Sequence, residues 1–296
     1  MTEIPVCDYT DSDYQTSFWD KGGRAYEDAA EAIALKHLLP KSGRLMLEIG
    51  AGAGRNTPRY AGFERIVLLD YSRTQLQQAQ ARLGRSEKYT YVAADAYRLP
   101  FVDGLFDGAT MIRTLHHMAD APKVLAGAAR VMQNDSIFIL EFANKQNLKS
   151  ILRWLLRRQS WSPFTREQVE FVKLNFDFHP RAVFDWLTEA GFTVEAKRTV
   201  SHFRIGLLKR VIPAKWLASV DGLIQPTGEW WQLTPSVFVR AKRVGRNGIP
   251  PHNEVIFRCP ECGHSPLIEK DAKVECPSCG RAYEFRDGIY DFRQAM

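Results

Sequence analysis

The chain has 296 residues, of which 45% are hydrophobic and 25% are charged, a balance typical of a globular protein with a sizeable core. No apolar run reaches the ~18 residues that cross a bilayer, and the acidic N-terminus lacks the apolar region of a signal peptide, so we expect a cytoplasmic protein. The formal net charge of +6 permits an anionic partner such as RNA or a membrane surface without requiring one.

Two periodicities alternate along the first 243 residues. Short apolar runs predict strands at 44–50, 65–70, 89–95, 106–115, 136–143, 193–200 and 236–243. Apolar residues at helical spacing predict helices at 24–39, 72–83, 121–132 and 181–192. Strands that alternate with helices predict an α/β fold with a doubly wound, mostly parallel seven-stranded sheet of the Rossmann type. We expect one of the last two strands to run antiparallel.

A turn of small residues, "EIGAGAGRNT" (48–57), follows the first strand and is expected to lead into a helix. A P-loop would need Gly-Lys-Ser/Thr after the glycines, whereas Arg55 and Asn56 follow Gly54. A dinucleotide fingerprint would need a glycine where Arg55 stands. The pattern therefore favours a nucleoside that carries an amino acid over a pyrophosphate.

Three acids stand at or near the ends of successive predicted strands. Asp70 ends the second strand, 22 residues after Glu48, where a carboxylate can accept both ribose hydroxyls. Asp95 ends the third strand and can reach an adenine amine, with the Ala96 N–H facing the ring edge. Glu48 can approach an ammonium group directly or through water. Together these positions predict one nucleoside site at the carboxyl ends of the strands.

The segments "LEIGAGAGRNT", "VLLDYS", "AADAYRLPF" and "FDGATMIRTLHHM" resemble the successive motifs of class I S-adenosylmethionine-dependent methyltransferases, and are most similar to the small-molecule and quinone-biosynthesis subfamily. The resemblance covers roughly residues 20–243. It implies that S-adenosyl-L-methionine is the methyl donor. The positions that the resemblance assigns to this cofactor are Glu48, Gly50, Ala51 and Gly52 for the methionine part, Asp70 and Tyr71 for the ribose, Asp95 and Ala96 for adenine, the Arg113 backbone beside the methyl donor, and Arg24 and Tyr26 near the carboxylate.

Two histidines are candidates for a general base, which is needed only if the acceptor must lose a proton. His117 follows the fourth strand, and His179 precedes a helix that the family places over the active site. A structural, hydrogen-bonded role is the alternative for each of them.

Residues 144–180 are predicted to select the acceptor and to act as a lid. In "KQNLKSILRWLLRRQSW", apolar residues such as Leu152 and Leu155 are predicted to share one helical face, with Lys149, Arg153 and Arg157 opposite. We expect the apolar face to pack on the domain, with a membrane-surface helix or an RNA-facing lid as alternatives.

The C-terminal segment contains four of the five cysteines as two C-x-x-C pairs, Cys259/Cys262 and Cys276/Cys279, with 13 residues between the pairs. This spacing predicts one structural zinc ion held by four thiolates. The segment resembles zinc ribbons, including those of the activator subunits of tRNA and protein methyltransferases. We expect a methyltransferase domain at 1–243, a linker at 244–254 and a zinc ribbon at 255–296. Removal of this ribbon should leave cofactor binding nearly intact.

These observations predict a methyltransferase that acts on a small-molecule acceptor. The alternative is an RNA-directed methyltransferase or an RNA-binding protein that uses the basic surface and the ribbon. A protein partner that binds through the ribbon is a further expectation. The sequence does not identify the acceptor atom.

Overall fold

The computed structural model describes residues 23–245 and 256–296. The predictions made for the N-terminal segment and for most of the linker at 244–254 lie outside the described residues. Thirteen strands are present in the described part: β1 Gly43–Ile49, β2 Phe63–Asp70, β3 Tyr89–Ala93, β4 Phe106–Met111, β5 Met132–Ala143, β6 Val169–Val172, β7 Asn175–Asp177, β8 Phe192–Val200, β9 Ser236–Arg243, β10 Ile268–Lys270, β11 Lys273–Glu275, β12 Ala282–Arg286 and β13 Ile289–Asp291.

Seven α-helices accompany these strands in the described part: α1 Ala25–Leu38, α2 Arg73–Leu83, α3 Ala121–Val131, α4 Leu148–Leu155, α5 Pro180–Glu189, α6 Gly206–Val211 and α7 Ala214–Ile224. Their first turns carry the expected capping groups. The side chains of Ser72, Asp120 and Asn147 accept hydrogen bonds from backbone N–H groups at the starts of α2, α3 and α4. None of these helices has the length and apolar character that a bilayer crossing requires.

Eleven strands form one continuous sheet in the order β10-β11-β12-β13-β3-β2-β1-β4-β5-β9-β8. The predicted seven-stranded sheet is confirmed as the part from β3 to β8. Its first five strands are parallel, and β9 is antiparallel to both of its neighbours. The remaining four strands come from the C-terminal segment. β6 and β7 form a separate hairpin within the predicted lid.

Alternation along β1 divides the core between the two faces of the sheet. Leu45, Leu47 and Ile49 pack in the large cluster that contains residues of α3 and α5. Met46 points to the opposite face, in the cluster that contains Leu76 of α2. Helices therefore cover both faces, as in a doubly wound fold.

One predicted helix is absent. No α-helix lies between β1 and β2, where the only helical element is a short 3-10 turn, Thr57–Tyr60. The connection is only 13 residues long, and Pro58 and Gly62 limit helix growth within it. The glycine turn is thus not followed by an α-helix N-terminus.

The C-terminal segment is not a separate lobe. Strand β13 pairs in parallel with β3, from Ile289 opposite Tyr91 to Asp291 opposite Ala93. Ile289 is fully buried in the same cluster as Ile66 and Leu68 of β2. The C-terminal segment therefore shares a sheet and a core with the preceding part of the described chain.

Candidate functional site

A cleft of about 990 Å³, including the solvent at its mouth, lies at the carboxyl ends of β1 to β4. Ligands of doubly wound sheets bind at this edge. Ten of the residues predicted from the sequence line the cleft: Glu48, Gly50, Ala51, Gly52, Asp70, Tyr71, Asp95, Ala96, Arg113 and His117. Residues that are far apart in sequence are thus brought together around one space.

The three glycines of the turn serve different purposes, although all have positive φ angles (73°, 53° and 69° for Gly50, Gly52 and Gly54). A Cβ atom at Gly50 would collide with the Thr114 side chain, and one at Gly54 would lie 2.9 Å from Leu83. A Cβ atom at Gly52 would meet nothing closer than the Gln75 side chain at 3.8 Å. Only Gly52 therefore leaves open space on the side of the cleft, where a ligand can approach the backbone.

Asp70 is positioned by two backbone N–H groups. Its carboxylate accepts from Gly52 N at 2.8 Å and from Ser72 N at 2.9 Å. These bonds link the glycine turn to the start of α2 and fix the carboxylate at the end of β2. A carboxylate can accept about four hydrogen bonds, which is more than these two.

Asp95 has a similar position at the end of β3. Its Oδ1 atom accepts from Tyr97 N at 2.9 Å and caps the 3-10 turn Ala96–Arg98. The Arg98 guanidinium approaches Oδ2 at 3.4 Å. This cap presents Ala96 at the wall of the cleft beside the acid, as the adenine assignment requires.

Glu48 is buried, and its carboxylate accepts a hydrogen bond of 2.6 Å from the Thr57 hydroxyl. Burial raises the pKa of the Glu48 carboxyl to about 7, although Thr57 and Arg55 act in the opposite direction. A nearby cation would favour the ionised form. Glu48 is therefore poised to change its charge when a positively charged ligand enters the cleft.

An internal ion network, which sequence reasoning missed, supports the other wall. Arg55 donates to Glu31 at 2.8 Å, and Arg113 Nε donates to Glu31 at 2.7 Å. Burial acts to raise the pKa of Glu31, but Arg113 and Arg55 outweigh burial and lower it to about 2. Arg113 has a φ of 59°, and its backbone N–H donates to Glu141 at 3.0 Å. These bonds fix the backbone of Arg113 at the cleft.

His117 is held by the predicted lid. Its Nδ1 atom lies 3.1 Å from the Leu174 carbonyl, just before β7. Because a carbonyl oxygen only accepts, Nδ1 carries the proton and the lone pair of the neutral ring is at Nε2. Burial lowers the pKa of His117, which favours this neutral form. His117 thus has the protonation state that a general base needs.

Three predicted site residues are not among the described residues that line the cleft. The buried Tyr26 hydroxyl donates to Asp221 at 2.6 Å and accepts from Phe203 N at 2.9 Å. Arg24 pairs with Glu27 at 3.4 Å. His179 caps α5 through its Nδ1 atom and faces a different cleft, beside Trp230. The geometry favours structural roles for Tyr26 and His179.

Asp177 in β7 is a second titratable group that sequence reasoning missed. Burial raises its pKa to about 6, and the neighbouring Glu141 acts in the same direction. Arg204 and Lys145 act to lower it. No sequence signal distinguished Asp177 from the other acids, because its environment is created by the hairpin that folds over the carboxyl end of β5.

The four cysteines of the C-terminal segment converge on one point. Their sulfur atoms all lie within 4.8 Å of one another, with Cys259 and Cys279 at 3.7 Å and Cys262 and Cys276 at 3.5 Å. Zn–S bonds of about 2.3 Å in a tetrahedron require sulfur separations of this size. Gly263 and Gly280 adopt positive φ angles and donate to the carbonyls of Cys259 and Cys276. The four thiols are therefore grouped closely enough to hold a metal ion.

The C-terminal segment also reaches the cleft. Arg293 is held by Asp291 through bonds of 2.9 and 2.6 Å. Its guanidinium donates to the Tyr71 carbonyl at 3.3 Å and lies 5.7 Å from the Tyr71 ring centre. Tyr71 lines the cleft, so the end of the chain contacts a residue of its wall.

Comparison with known sequences is consistent with this geometry. The family described as a methyltransferase domain matches residues 47–140. The O-methyltransferase cnsE of Penicillium expansum is 33% identical over 108 residues, which cover 35% of this chain and 39% of that protein. The ubiquinone/menaquinone biosynthesis C-methyltransferase UbiE of Paracoccus denitrificans is 28% identical over 132 residues, which cover 42% of this chain and 52% of that protein. The chain thus spans about half, or less, of these relatives.

Comparison with solved structures extends the similarity to most of the chain. A chain in a complex between the Haloferax volcanii Trm112 methyltransferase activator and a methyltransferase superposes with a TM-score of 0.55 at 16% identity, covering 78% of this chain and 96% of that one. An identity this low shows a common fold. The described chain therefore has the Rossmann-like methyltransferase fold, and its residues 47–140 match the methyltransferase domain family.

Proposed function

We propose that this protein is an S-adenosyl-L-methionine-dependent methyltransferase that acts on a small-molecule acceptor. The single observation that carries the proposal is the convergence of Gly52, Asp70 and Asp95 on one cleft, with the Gly52 side open to a ligand. Asp70 would hold the ribose hydroxyls, Asp95 and Ala96 the adenine, and Glu48 the ammonium group. The cofactor supplies an electrophilic methyl group on a sulfonium.

The chain's own contribution is alignment, exclusion of water and, where needed, removal of a proton. Good alignment for in-line displacement lowers a barrier by as much as ~7–11 kcal/mol. His117 is the candidate base, since it lines the cleft in its neutral form.

The names of the relatives favour small-molecule acceptors over macromolecules. These relatives are an O-methyltransferase and a quinone C-methyltransferase, so both oxygen and carbon acceptors remain within the proposal. The RNA-directed alternative depends on the basic surface. A protein partner on the ribbon is less favoured, because β13 already pairs with β3 of the same chain.

We also propose that Cys259, Cys262, Cys276 and Cys279 hold one structural zinc ion. Four thiolates complete a tetrahedron, which leaves no position for water or substrate. The convergence of the four sulfur atoms within 4.8 Å of one another supports this proposal.

The cofactor assignment is tested by calorimetry on matched glycine variants. Gly52→Val should abolish S-adenosylmethionine binding, because the new side chain fills the open space beside the turn. Gly84→Val is the control, since Gly84 also has a positive φ and open surroundings but caps α2 away from the cleft. Asp70→Asn should weaken binding by about 1.5–3 kcal/mol, through loss of charge-assisted hydrogen bonds. Equal affinity in Gly52→Val and the parent would refute the assignment.

The acceptor class is tested by incubating the protein with labelled methyl donor and a fractionated lysate. Label in the small-molecule or lipid fraction supports the proposal, whereas label in RNA supports the alternative. If cofactor binding is intact and no fraction is labelled, the protein binds the cofactor without acting as a methyltransferase on these pools.

A further inference from the structure

The positive charge of the chain is concentrated in two segments. One follows the carboxyl end of β5, and the other follows the carboxyl end of β8. We call them the cap, residues 144–166 and 201–233. The cap contains ten Lys or Arg and only two Asp or Glu, out of 40 and 34 in the whole chain. Of its two acids, Asp221 is buried and Glu229 pairs with Lys197. The cap therefore carries the entire basic excess of the protein.

Helix α4 in the cap is amphipathic, but its apolar face is exposed. Its buried residue is Ser150, whereas Leu152 and Leu155 on the other side are 49% and 62% exposed. This contradicts the expectation that the apolar face packs on the domain. A helix that turns its leucines to solvent leaves apolar surface that needs another partner.

Helix α7 has apolar residues on two faces. Leu217 and Ala218 are buried in the cluster that contains α1 residues. Trp216, Val220 and Leu223 recur at the spacing of one helical stripe, and all three are exposed, Leu223 by 81%. Internal packing accounts for the face with Leu217 and Ala218, but not for the apolar residues on the exposed face.

The exposed apolar residues of the two segments meet at one place. Leu148 N donates to Leu233 O at 2.8 Å, which joins the start of α4 to the end of the second segment. Trp230 and Trp231, both exposed, line the same cleft as Phe164 of the first segment. Exposed apolar residues of the two segments therefore adjoin one another at this junction.

Six cations accompany this apolar surface. Among the residues that the structure describes, no ion pair involves the side chains at these positions, which are Lys149, Arg153, Arg157, Arg158, Arg210 and Lys215. Exposed Trp and Leu beside unpaired Lys and Arg are the combination found on protein surfaces that enter the headgroup region of a bilayer.

We propose that the cap binds the surface of an anionic lipid bilayer. Trp and Leu side chains would enter the interface, while Lys and Arg contact the acidic headgroups. An RNA partner would account for the cations but not for the exposed Leu152, Leu155 and Leu223, because aliphatic side chains do not stack on bases. A second copy of the chain would bring two strongly basic surfaces together, which is unfavourable.

The position of the cap connects this surface to the cleft. Leu174, just beyond the cap and before β7, accepts from His117 at the cleft wall. Within the cap, Arg204 lies close enough to Arg113 for their charges to interact. The cap and the segment that follows it are thus connected to the wall of the cleft.

Vesicle flotation tests this proposal, with phosphatidylcholine vesicles that either contain or lack phosphatidylglycerol. The parent protein should float with the anionic vesicles and about tenfold less with the neutral ones, and high salt should reduce the difference. The paired variants Leu152→Glu/Leu155→Glu and Trp216→Glu/Leu223→Glu should each reduce the bound fraction at least ~tenfold, because charged side chains oppose insertion. Arg153→Gln/Arg157→Gln/Arg158→Gln should abolish the preference for anionic vesicles.

Matched controls separate the cap from surface changes in general. Ile268→Glu alters an exposed apolar residue of β10 at the far end of the sheet. Lys41→Gln/Arg82→Gln/Arg85→Gln removes three exposed cations near the amino ends of β1 and β3, away from the cap. Both control variants should float like the parent. All variants should keep the parent's circular dichroism spectrum and S-adenosylmethionine affinity. A loss of flotation with unchanged cofactor affinity would separate membrane binding from the proposed activity.

Three outcomes would overturn the proposal. The first is no flotation of the parent with either vesicle. The second is a concentration-dependent dimer that the paired cap variants abolish, which would assign the surface to a second copy. The third is retention of single-stranded RNA that is lost with the arginine variant while flotation is unaffected by every cap variant.

Discussion

The two ends of the sheet differ in the exposure of their apolar residues and in the pairing of their charged residues. At the ribbon end, Ile289 and Phe292 are buried, and Arg73 and Arg258 pair with acids across the junction. At the β8 end, the cap leaves tryptophans and leucines exposed and six cations without a described ion pair. The first end has a partner within the chain, and the second end has the composition of a surface that binds a partner outside it.

The exposure of these residues therefore distinguishes a binding surface from a packed one better than amino-acid composition does. Both regions are rich in aromatic and basic residues. In the ribbon these residues complete one core, where Phe257 lies 4.9 Å from Phe292 and 6.1 Å from Phe101 between ring centres. In the cap many of these residues are exposed, so changes at the exposed positions should affect binding more than folding.

Loss of the zinc site should have the largest effect. Cys276→Ser should release the proposed zinc ion and lower the melting temperature by ~10 °C or more, because metal binding is coupled to folding and the ribbon shares the sheet. Metal analysis should find about one zinc ion in the parent and in the control Ser278→Ala, an exposed residue of the same knuckle. If zinc is lost and the melting temperature is unchanged, the ribbon is the independent unit that the sequence suggested.

A pair of aromatic substitutions compares the two ends directly. Phe292→Ala should reduce the free energy of unfolding by about 3–5 kcal/mol, since Phe292 is only 4% exposed and its loss leaves a cavity. Trp216→Ala should change it by less than ~0.5 kcal/mol, because Trp216 is 71% exposed. Urea unfolding measures both. Equal destabilisation would mean that the cap is packed in solution, which would remove the contrast.

Sequence patterns predicted the parts of the fold that depend on local periodicity. The seven strands β1 to β5, β8 and β9 agree with short apolar runs, and one antiparallel strand among the last two was expected. The helix expected after β1 is absent, and Pro58 and Gly62 were local signals against it that the strand–helix pattern overrode. The joined ribbon was not predictable, because the pairing of β13 with β3 links residues about 200 positions apart.

The residues of the candidate site also fall into those that the sequence could predict and those that it could not. The glycines and the acids at strand ends were visible in the sequence, because their positions follow from strand boundaries. Glu31 and Asp177 were not, because their roles depend on burial and on partners from other elements, such as Arg113 and Arg204. The sequence also did not show that only Gly52 faces open space, since that depends on Thr114 and Leu83.

The cleft between the two ends should respond to pH through Glu48. Its carboxyl is protonated below a pKa of about 7, so it attracts an ammonium group only as the pH rises through that value. S-adenosylmethionine affinity should therefore rise roughly tenfold between pH 5.5 and 7.5. Over this range the ligand's ammonium group stays largely protonated, because an α-amino group loses its proton at about 7.7–8.0. Calorimetry on Glu48→Gln should show a flat profile, and a slope retained in this variant would assign the effect to another group.

The smallest expected effect tests whether the ribbon end contributes to the cleft. Arg293→Gln removes the charge that lies over Tyr71, while Asp291 and the β13 pairing remain. S-adenosylmethionine affinity should fall about threefold to fivefold, because an exposed cation–π contact contributes ~0.5–1 kcal/mol to the order of Tyr71. Arg286→Gln is the matched control, since Arg286 is exposed on the same ribbon and only its backbone carbonyl contacts Arg73. Zinc content and melting temperature should stay at parental values in both variants. Unchanged affinity in Arg293→Gln would restrict the ribbon to stabilising the sheet, whereas an equal loss in Arg286→Gln would point to general electrostatics instead of the contact with Tyr71.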